Sequence, residues 1–333
     1  MQIISIIGSP ILFSILFYYL FEPIVTYMEK KGLNRKLAIG LVFLGIIILL
    51  TLAVTFILPG IGDQFRELVD NFPRIWANVQ RQIEELLYDD WLTEIYQTIQ
   101  ETEVLSRVSE QLTNVFSVTI GSITSALGVF TRVGVTLLTM PFILYYLLAD
   151  GRKLKEGIIK YTPNRFRPTM KKFIHDSSQQ VGSYVRGELL VALSVMVMFY
   201  IGYKVIGLEY AMILSISAGF LNLIPYLGSI LSALPAMIIG AFVSPIKLVQ
   251  VILVLAVEQF IEGRFVSPQI LGSSLDIHPI LILFILLVSG SIFGFVGLVF
   301  GVPGFAVLRV LWVLFFDWLS KKFNFYEDHP LED

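Results

Sequence analysis

The sequence predicts an all-α protein, a polytopic transmembrane helical bundle with two broken, re-entrant helical segments and an extracytoplasmic amphipathic helical insertion. Three observations carry that expectation. Mean hydropathy is +0.77 and only 15% of residues are charged, against about 25% in a soluble domain. Several apolar runs reach the ~20 residues that a helix needs to cross a hydrocarbon core. Two more runs, at 209–243 and 278–316, are as apolar as the rest, but proline and glycine interrupt each near its middle.

The elements follow in order. Residues 1–58 hold two N-terminal spans, 3–21 and 37–58. The first has neither a basic leader nor a small-residue cleavage site, so it is not read as a signal peptide. Lys30, Lys31, Arg35 and Lys36 lie between the two, and the second ends at Pro59-Gly60. Residues 59–117 differ in character. Between 60 and 116 stand 11 acidic and 4 basic residues. Apolar side chains recur there at helical spacing, as in Ile75, Trp76, Val79, Ile83, Leu86 and Leu87. That pattern predicts amphipathic helices, packed as a cap, lying on the membrane or joining subunits.

Residues 118–149 predict a long transmembrane helix interrupted by Arg132 and Pro141. Its apolar part is about 46 Å long at 1.5 Å per residue. That exceeds a ~30 Å core, so its first part is expected to stand outside and Pro141 to kink the rest. Residues 150–186 carry nine basic and three acidic residues. The positive-inside rule places this segment and the 27–36 loop in the cytoplasm, and 60–116 outside. The basic segment is also suited to attracting anionic lipid. Residues 187–320 form the expected transport core: a span at 187–206, the first broken run, a span at 247–262, a linker and the second broken run. The tail, 321–333, with Lys321 and Lys322, reads as cytoplasmic.

Composition also narrows the chemistry. A net charge of −2 offers no broad basic surface for nucleic acid. With no cysteine there are no disulfides, thiolate metal sites or cysteine nucleophiles. His175, His278 and His329 show no metal-ligand spacing, and no P-loop is present. An enzyme, a cofactor and a metal are therefore not expected, and energy would come from an ion or solute gradient.

The broken runs supply the candidate site. Proline removes a backbone N–H and clashes with the preceding turn. In lipid the freed groups need protein or water partners, and paired interrupted segments point to a transporter's substrate site. Pro225 and Gly228 mark the first break; Gly294, Gly297 and Pro303 mark the second. The Asn222 amide either contacts a polar solute or satisfies the backbone freed by Pro225. Glu258 and Glu262 share a helix face, with Arg264 close behind and Arg309 in the second run. These charges read either as an ion-exchanging pathway or as an interfacial cluster fixing helix ends. Gly290/Gly294 and Gly297/Gly301 each form GxxxG, which permits close helix approach or, the preferred reading here, a sharp turn. Asp276 and His278 before Pro279 read as a capped helix start.

Five segments together resemble a known family: FEPIVTYMEKKGLNRKLAI, FILPGIGDQFRELVDNFP, NLIPYLGSILSALPA, EQFIEGRFVSPQILGSSLDIHPILI and SGSIFGFVGLVFGVPGFAVL. The chain is similar over nearly its whole length to the autoinducer-2 exporter family of bacterial and archaeal membrane proteins. The resemblance implies a polytopic transporter of small solutes. Members are associated with export of the furanone signal autoinducer-2, some with sodium/proton antiport, and one subgroup with sporulation. Members usually carry another apolar span upstream of the FEPIV region. Only 21 residues precede Glu22 here, so the resemblance implies that a first span is missing from this sequence. Ser229 stands where the family usually has proline, and Arg264 where it usually has asparagine.

The resulting expectation is a multi-pass cell-membrane transporter that exports a small polar solute such as autoinducer-2 by alternating access. The alternatives are a cation/proton antiporter using Glu258 or Glu262 with Na+ or H+, and a non-transporting or sporulation-linked membrane scaffold. The expected partners are the solute, the bilayer and further copies of the chain, since the amphipathic region has apolar faces to spare.

Overall fold

The computed structural model describes residues 2–60, scattered positions between 62 and 81, and residues 130–225, 227–272 and 277–323. Most of the 59–117 insertion, the start of the 118–149 helix, and Asp276 lie outside them. The described residues form helices joined by turns, with no strand among them.

Helix α1 runs from Gln2 to Lys30 and α2 from Arg35 to Leu52. Asn34 caps α2 by accepting from the Lys36 N–H at 3.3 Å, as an N-cap side chain should. A π-helical turn, Ala53–Ile57, continues α2. Helix α3 spans Phe130–Tyr161 and α4 spans Arg167–Val205. The basic segment is therefore not a loop. It consists of the end of α3, a 3-10 turn at Asn164–Phe166 and the start of α4. Helices are free to run past the lipid because their backbone bonds are internal. The composition boundary near 150 marks a change of surroundings, not of backbone.

Pro10 and Pro23 sit inside α1 and Pro141 inside α3 without ending either helix. Fully buried Ser14 ties the two helices together, donating to the Pro10 carbonyl at 2.6 Å and to the Met140 carbonyl at 3.0 Å. Such hydrogen bonds act as polar glue where both helices are otherwise apolar. At the basic end, Glu29 accepts a two-pronged pair from Arg152 at 2.8 and 3.1 Å, and a third bond from Arg35 at 3.0 Å. Arg35 also donates to the Leu148 carbonyl at 2.8 Å. These bonds, with Tyr18, Val25, Ile39, Val42, Leu144 and Leu148 packed beneath them, join α1, α2 and α3.

Both broken runs double back. The first forms α5, Ala211–Leu221, and α6, Leu227–Val243. At about 16 Å, α5 is too short to cross a ~30 Å core. Gln64, from the region after α2, accepts from the Ile213 N–H at 3.2 Å and so satisfies one orphan donor at the start of α5. Helix α7, Pro245–Ile261, returns alongside α6 and continues through a π-helical turn, Glu262–Val266, into the short α8, Ser267–Ile270. The last element, α9, spans Pro279–Phe323 and breaks at Gly294, where φ is 60° and ψ −140°. That conformation favours glycine, because a Cβ there is strained.

Past the break the two arms of α9 pack against each other closely. A Cβ on Gly290 would lie 2.7 Å from Leu298, and one on Gly297 would fall on the Ser289 carbonyl. The two GxxxG motifs thus divide the tasks that sequence offered as alternatives. Gly294 makes the turn, and Gly290, Gly297 and Gly301 let the arms meet.

The hairpins flank α4 from opposite ends. The start of α5 lies near the α4 C-terminus, where Tyr203 accepts from the Leu208 N–H at 2.8 Å. The arms of α9 pack lower on α4, with Leu286 and Val302 against Val181, Tyr184 and Val185. Phe220 of α5 stacks on Phe295 beside the second break, with ring centroids 5.8 Å apart. By length and composition, four of the described helical stretches suffice to cross a membrane: Pro10–Lys30, Arg35–Phe56, Asn164–Val205 and Ile280–Ser320, the last doubling back.

Candidate functional site

A cavity of about 870 Å³ opens where the tip of the first hairpin meets α4, the end of α7, and both arms of α9. Its polar wall includes Glu188, Asn222, Ser229, Gln259, Glu262, Ser267 and His278. Tyr184, Val191, Pro225, Ile282 and Val302 supply much of the remainder.

The chain puts polar groups here for local reasons. Asn222 is the C-cap of α5, and Pro225 stops the helix from continuing. The Leu221 carbonyl, which an N–H at 225 would have satisfied, accepts from the Ile224 N–H at 2.9 Å. Ala218, Phe220 and Ile224 carbonyls are likewise taken by N–H groups within the tip. The tip satisfies much of its own backbone, so side chains supply much of the cavity's polarity. The Asn222 amide accordingly does not repair the proline break. It is 5% exposed and donates to Glu262 Oε1 at 3.4 Å.

Glu258 lies in the last turn of α7 and Glu262 caps its C-terminal end, opening the π-helical turn. Ile246, Val249, Leu253, Val257 and Phe260 are exposed on the outer side, whereas Val251 and Glu258 are buried. The Gln259 amide nitrogen donates to both carboxylates, to Glu258 Oε2 at 3.1 Å and to Glu262 Oε2 at 3.3 Å. Glu258 Oε1 is buried with no partner. These residues form a carboxylate–amide network at the end of the helix, with Asn222 joined through Glu262.

The structure does not bring all the sequence candidates together. Asn222, Pro225 and Glu262 line the cavity, and Glu258 lies buried behind Gln259. Gly228 packs at the tip, where a Cβ would strike the Leu221 carbonyl. Arg264 is exposed on the π-helical turn outside the cavity. Gly294 and Gly297 form the turn and the seam of the second hairpin; neither they nor Pro303 and Arg309 are among the residues lining the cavity, to which that arm contributes Val302. His278 serves twice: it faces the cavity, and its ring Nδ1 accepts from the Ile280 N–H at 3.3 Å at the start of α9.

Sequence reasoning missed Glu188. It is 8% exposed on α4 and lines the cavity. The signal was present as a lone acid opening the apolar stretch LLVALSVMVMFYIGY. An ionisable residue in such a setting is a functional candidate by default. The boundary between the basic segment and the next span falls beside it, so in sequence it reads as part of a charged flank.

A bundle of apolar helices holding a polar-lined cavity between two opposed hairpins has the architecture of a polytopic membrane transport protein. The comparisons agree. The profile of the AI-2E family transporters matches residues 2–314, and the chain belongs to that family. It is 33% identical to YueF of Bacillus subtilis (strain 168), a protein named for transport, over 93% of this chain and 84% of YueF. It is 30% identical to YrrI of the same strain, also named for transport, over 94% of this chain and 88% of YrrI. PerM of Escherichia coli (strain K12), named as a permease, is 24% identical over 89% of this chain and 83% of PerM.

Proposed function

We propose that this protein is a secondary transporter that exports a small polar solute, autoinducer-2 being the candidate its family name suggests, through the cavity between the hairpins. The supporting observation is the 870 Å³ cavity with Asn222 and Glu262 bonded across its wall. Its size suits a small solute, and its carboxylates and amides are suited to binding hydroxyl groups. Alternating access would follow from movement of the hairpins against α4. No catalytic role is assigned to any residue.

The test is flux in proteoliposomes, with radiolabelled furanone signal as solute. Asn222→Ala should lower flux about tenfold, the scale of losing one hydrogen bond to a charged group, while membrane insertion is retained. Unchanged flux in a well-folded variant would remove Asn222 from the site.

The second reading, a cation/proton antiporter, is favoured by the concentration of carboxylates at this cavity. Sodium-driven proton movement in the same vesicles distinguishes it. A scaffold would give neither signal.

The charge asymmetry supports a cell-membrane orientation with 60–116 outside and 150–186 and the C-terminus in the cytoplasm. The native chain has no cysteine, so single cysteines report topology cleanly. In intact cells Asp89→Cys should react with an impermeant thiol reagent and Lys160→Cys should not; the reverse pattern inverts the orientation. The acidic insertion is also assigned a role in homo-oligomer formation. A monomeric mass in lipid nanodiscs would remove that role.

A further inference from the structure

We propose that a second cavity, between α1, α3 and α4, binds the phosphodiester group of one anionic phospholipid, whose acyl chains lie along α4; this is independent of the transport reading above.

The cavity measures about 260 Å³ and is separate from the one between the hairpins. Lys155 of α3 and Arg186 of α4 reach it from two helices, and Glu22 of α1 from a third. Two cations against one carboxylate leave one positive charge in excess, with histidine counted as neutral. That is the complement of a phosphodiester. Among the described residues neither cation is ion-paired. Glu29 and Asp150 are engaged by Arg35, Arg152 and Lys153, and Glu22 Oε1 accepts from the Thr26 hydroxyl at 2.8 Å.

Backbone positions the arginine. Arg186 Nη1 donates to the Tyr19 carbonyl at 3.1 Å. The guanidinium folds back one turn over Gly182, where a Cβ would lie 3.0 Å from Nη1 and 3.2 Å from the Tyr19 ring. One nitrogen is thus used for placement, and the remaining donors of the fork are left for a ligand. Ser178 accepts from the Tyr19 hydroxyl at 3.4 Å, which leaves its own proton for an acceptor. The Gln179 amide lines the same wall.

Two observations select a lipid over a free anion. First, all three helices change from apolar to charged composition here. The apolar run of α1 ends before Glu22, that of α3 before Asp150, and that of α4 begins after Arg186. The cavity therefore stands at headgroup level, where basic pockets between helices bind anionic headgroups. Second, one face of α4 is divided at this point. At helical spacing, His175, Gln179 and Arg186 line the cavity, and Leu190, Leu193 and Val197 continue the same stripe as exposed apolar side chains. A polar pocket in line with an apolar strip matches a headgroup followed by an acyl chain.

The experiment titrates the full chain in mild detergent with dioctanoyl phosphatidylglycerol, dioctanoyl phosphatidylcholine or inorganic phosphate, and counts bound copies by native mass spectrometry. One phosphatidylglycerol should bind, with phosphatidylcholine and phosphate each roughly tenfold weaker or more, the scale of one charge-assisted contact. Lys155→Gln and Arg186→Gln should each weaken phosphatidylglycerol by a similar factor. Lys172→Gln, exposed on the same basic segment and outside the cavity, should not. Should Arg186→Gln fail to assemble for want of its Tyr19 bond, Lys155→Gln decides alone. Equal losses in Lys155→Gln and Lys172→Gln reduce the effect to diffuse attraction and overturn the site. Equal binding of the two lipids overturns it as well. Phosphate bound as tightly as phosphatidylglycerol overturns the lipid assignment in favour of a free anion. Solute flux enters none of these outcomes, so failure of the exporter reading leaves the test intact.

Discussion

Gly297→Leu is expected to prevent stable assembly of the second hairpin. A Cβ at 297 falls on the Ser289 carbonyl of the facing arm, and Gly301 faces the Ser289 side chain across the same seam. Backbone cannot rotate away as a side chain does, so the arms must separate. Overpacking of this kind costs about 3 kcal/mol or more, a large part of the ~5–15 kcal/mol that holds a typical folded protein together. The measurements are yield of monodisperse protein in mild detergent and the midpoint of thermal unfolding. The matched control is Gly304→Leu. It lies on the same arm and is exposed, and its added Cβ meets nothing within 4 Å. It should leave both measurements close to wild type. Equal tolerance of the two substitutions would show that the arms do not pack as described.

The second large effect is expected from Glu258→Gln combined with Glu262→Gln. Two carboxylates share the Gln259 amide, and one of them also meets Asn222. Replacing both keeps the volume of each side chain but removes the two carboxylates to which the proton coupling is assigned, leaving Glu188 and His278 in place. Proton-dependent flux should fall to background while part of the downhill solute flux persists. Vesicles loaded with solute, with and without an imposed proton gradient, give both quantities. A double variant with the wild-type gradient dependence would exclude the pair from coupling, although the fold and the cavity would stand.

Much of this architecture is legible in sequence because lipid imposes one strong rule: each backbone polar group must find a partner within protein or cavity water. Runs such as LAIGLVFLGIIILLTLAV therefore announce helices. Pro225 and Gly294 announce the places where a helix stops inside an apolar run. The same rule identified Asn222 and Glu262 as candidates, since polar groups near such breaks are costly unless used. It could not rank the others. Arg264 follows Glu262 by two residues, yet the π-helical turn carries it to the exposed side. Pro303 and Val302 are adjacent, but only Val302 reaches the cavity.

The sequence by itself determined the class of fold, the positions of the two breaks and the polarity of the helix ends, because each follows from local composition against a fixed solvent. Tertiary structure alone decided which polar groups share a space. Glu188 and Glu262 are far apart along the chain and face one cavity only because α4 passes beside the end of α7. Gly294 and Gly297 mark a break in sequence and are the turn and the seam of one hairpin in three dimensions. The physical reason is that hydropathy is a property of a segment, whereas hydrogen-bond compensation depends on what lies across the space. Whether a buried carboxylate has a partner is fixed only when its neighbours on other helices are in place.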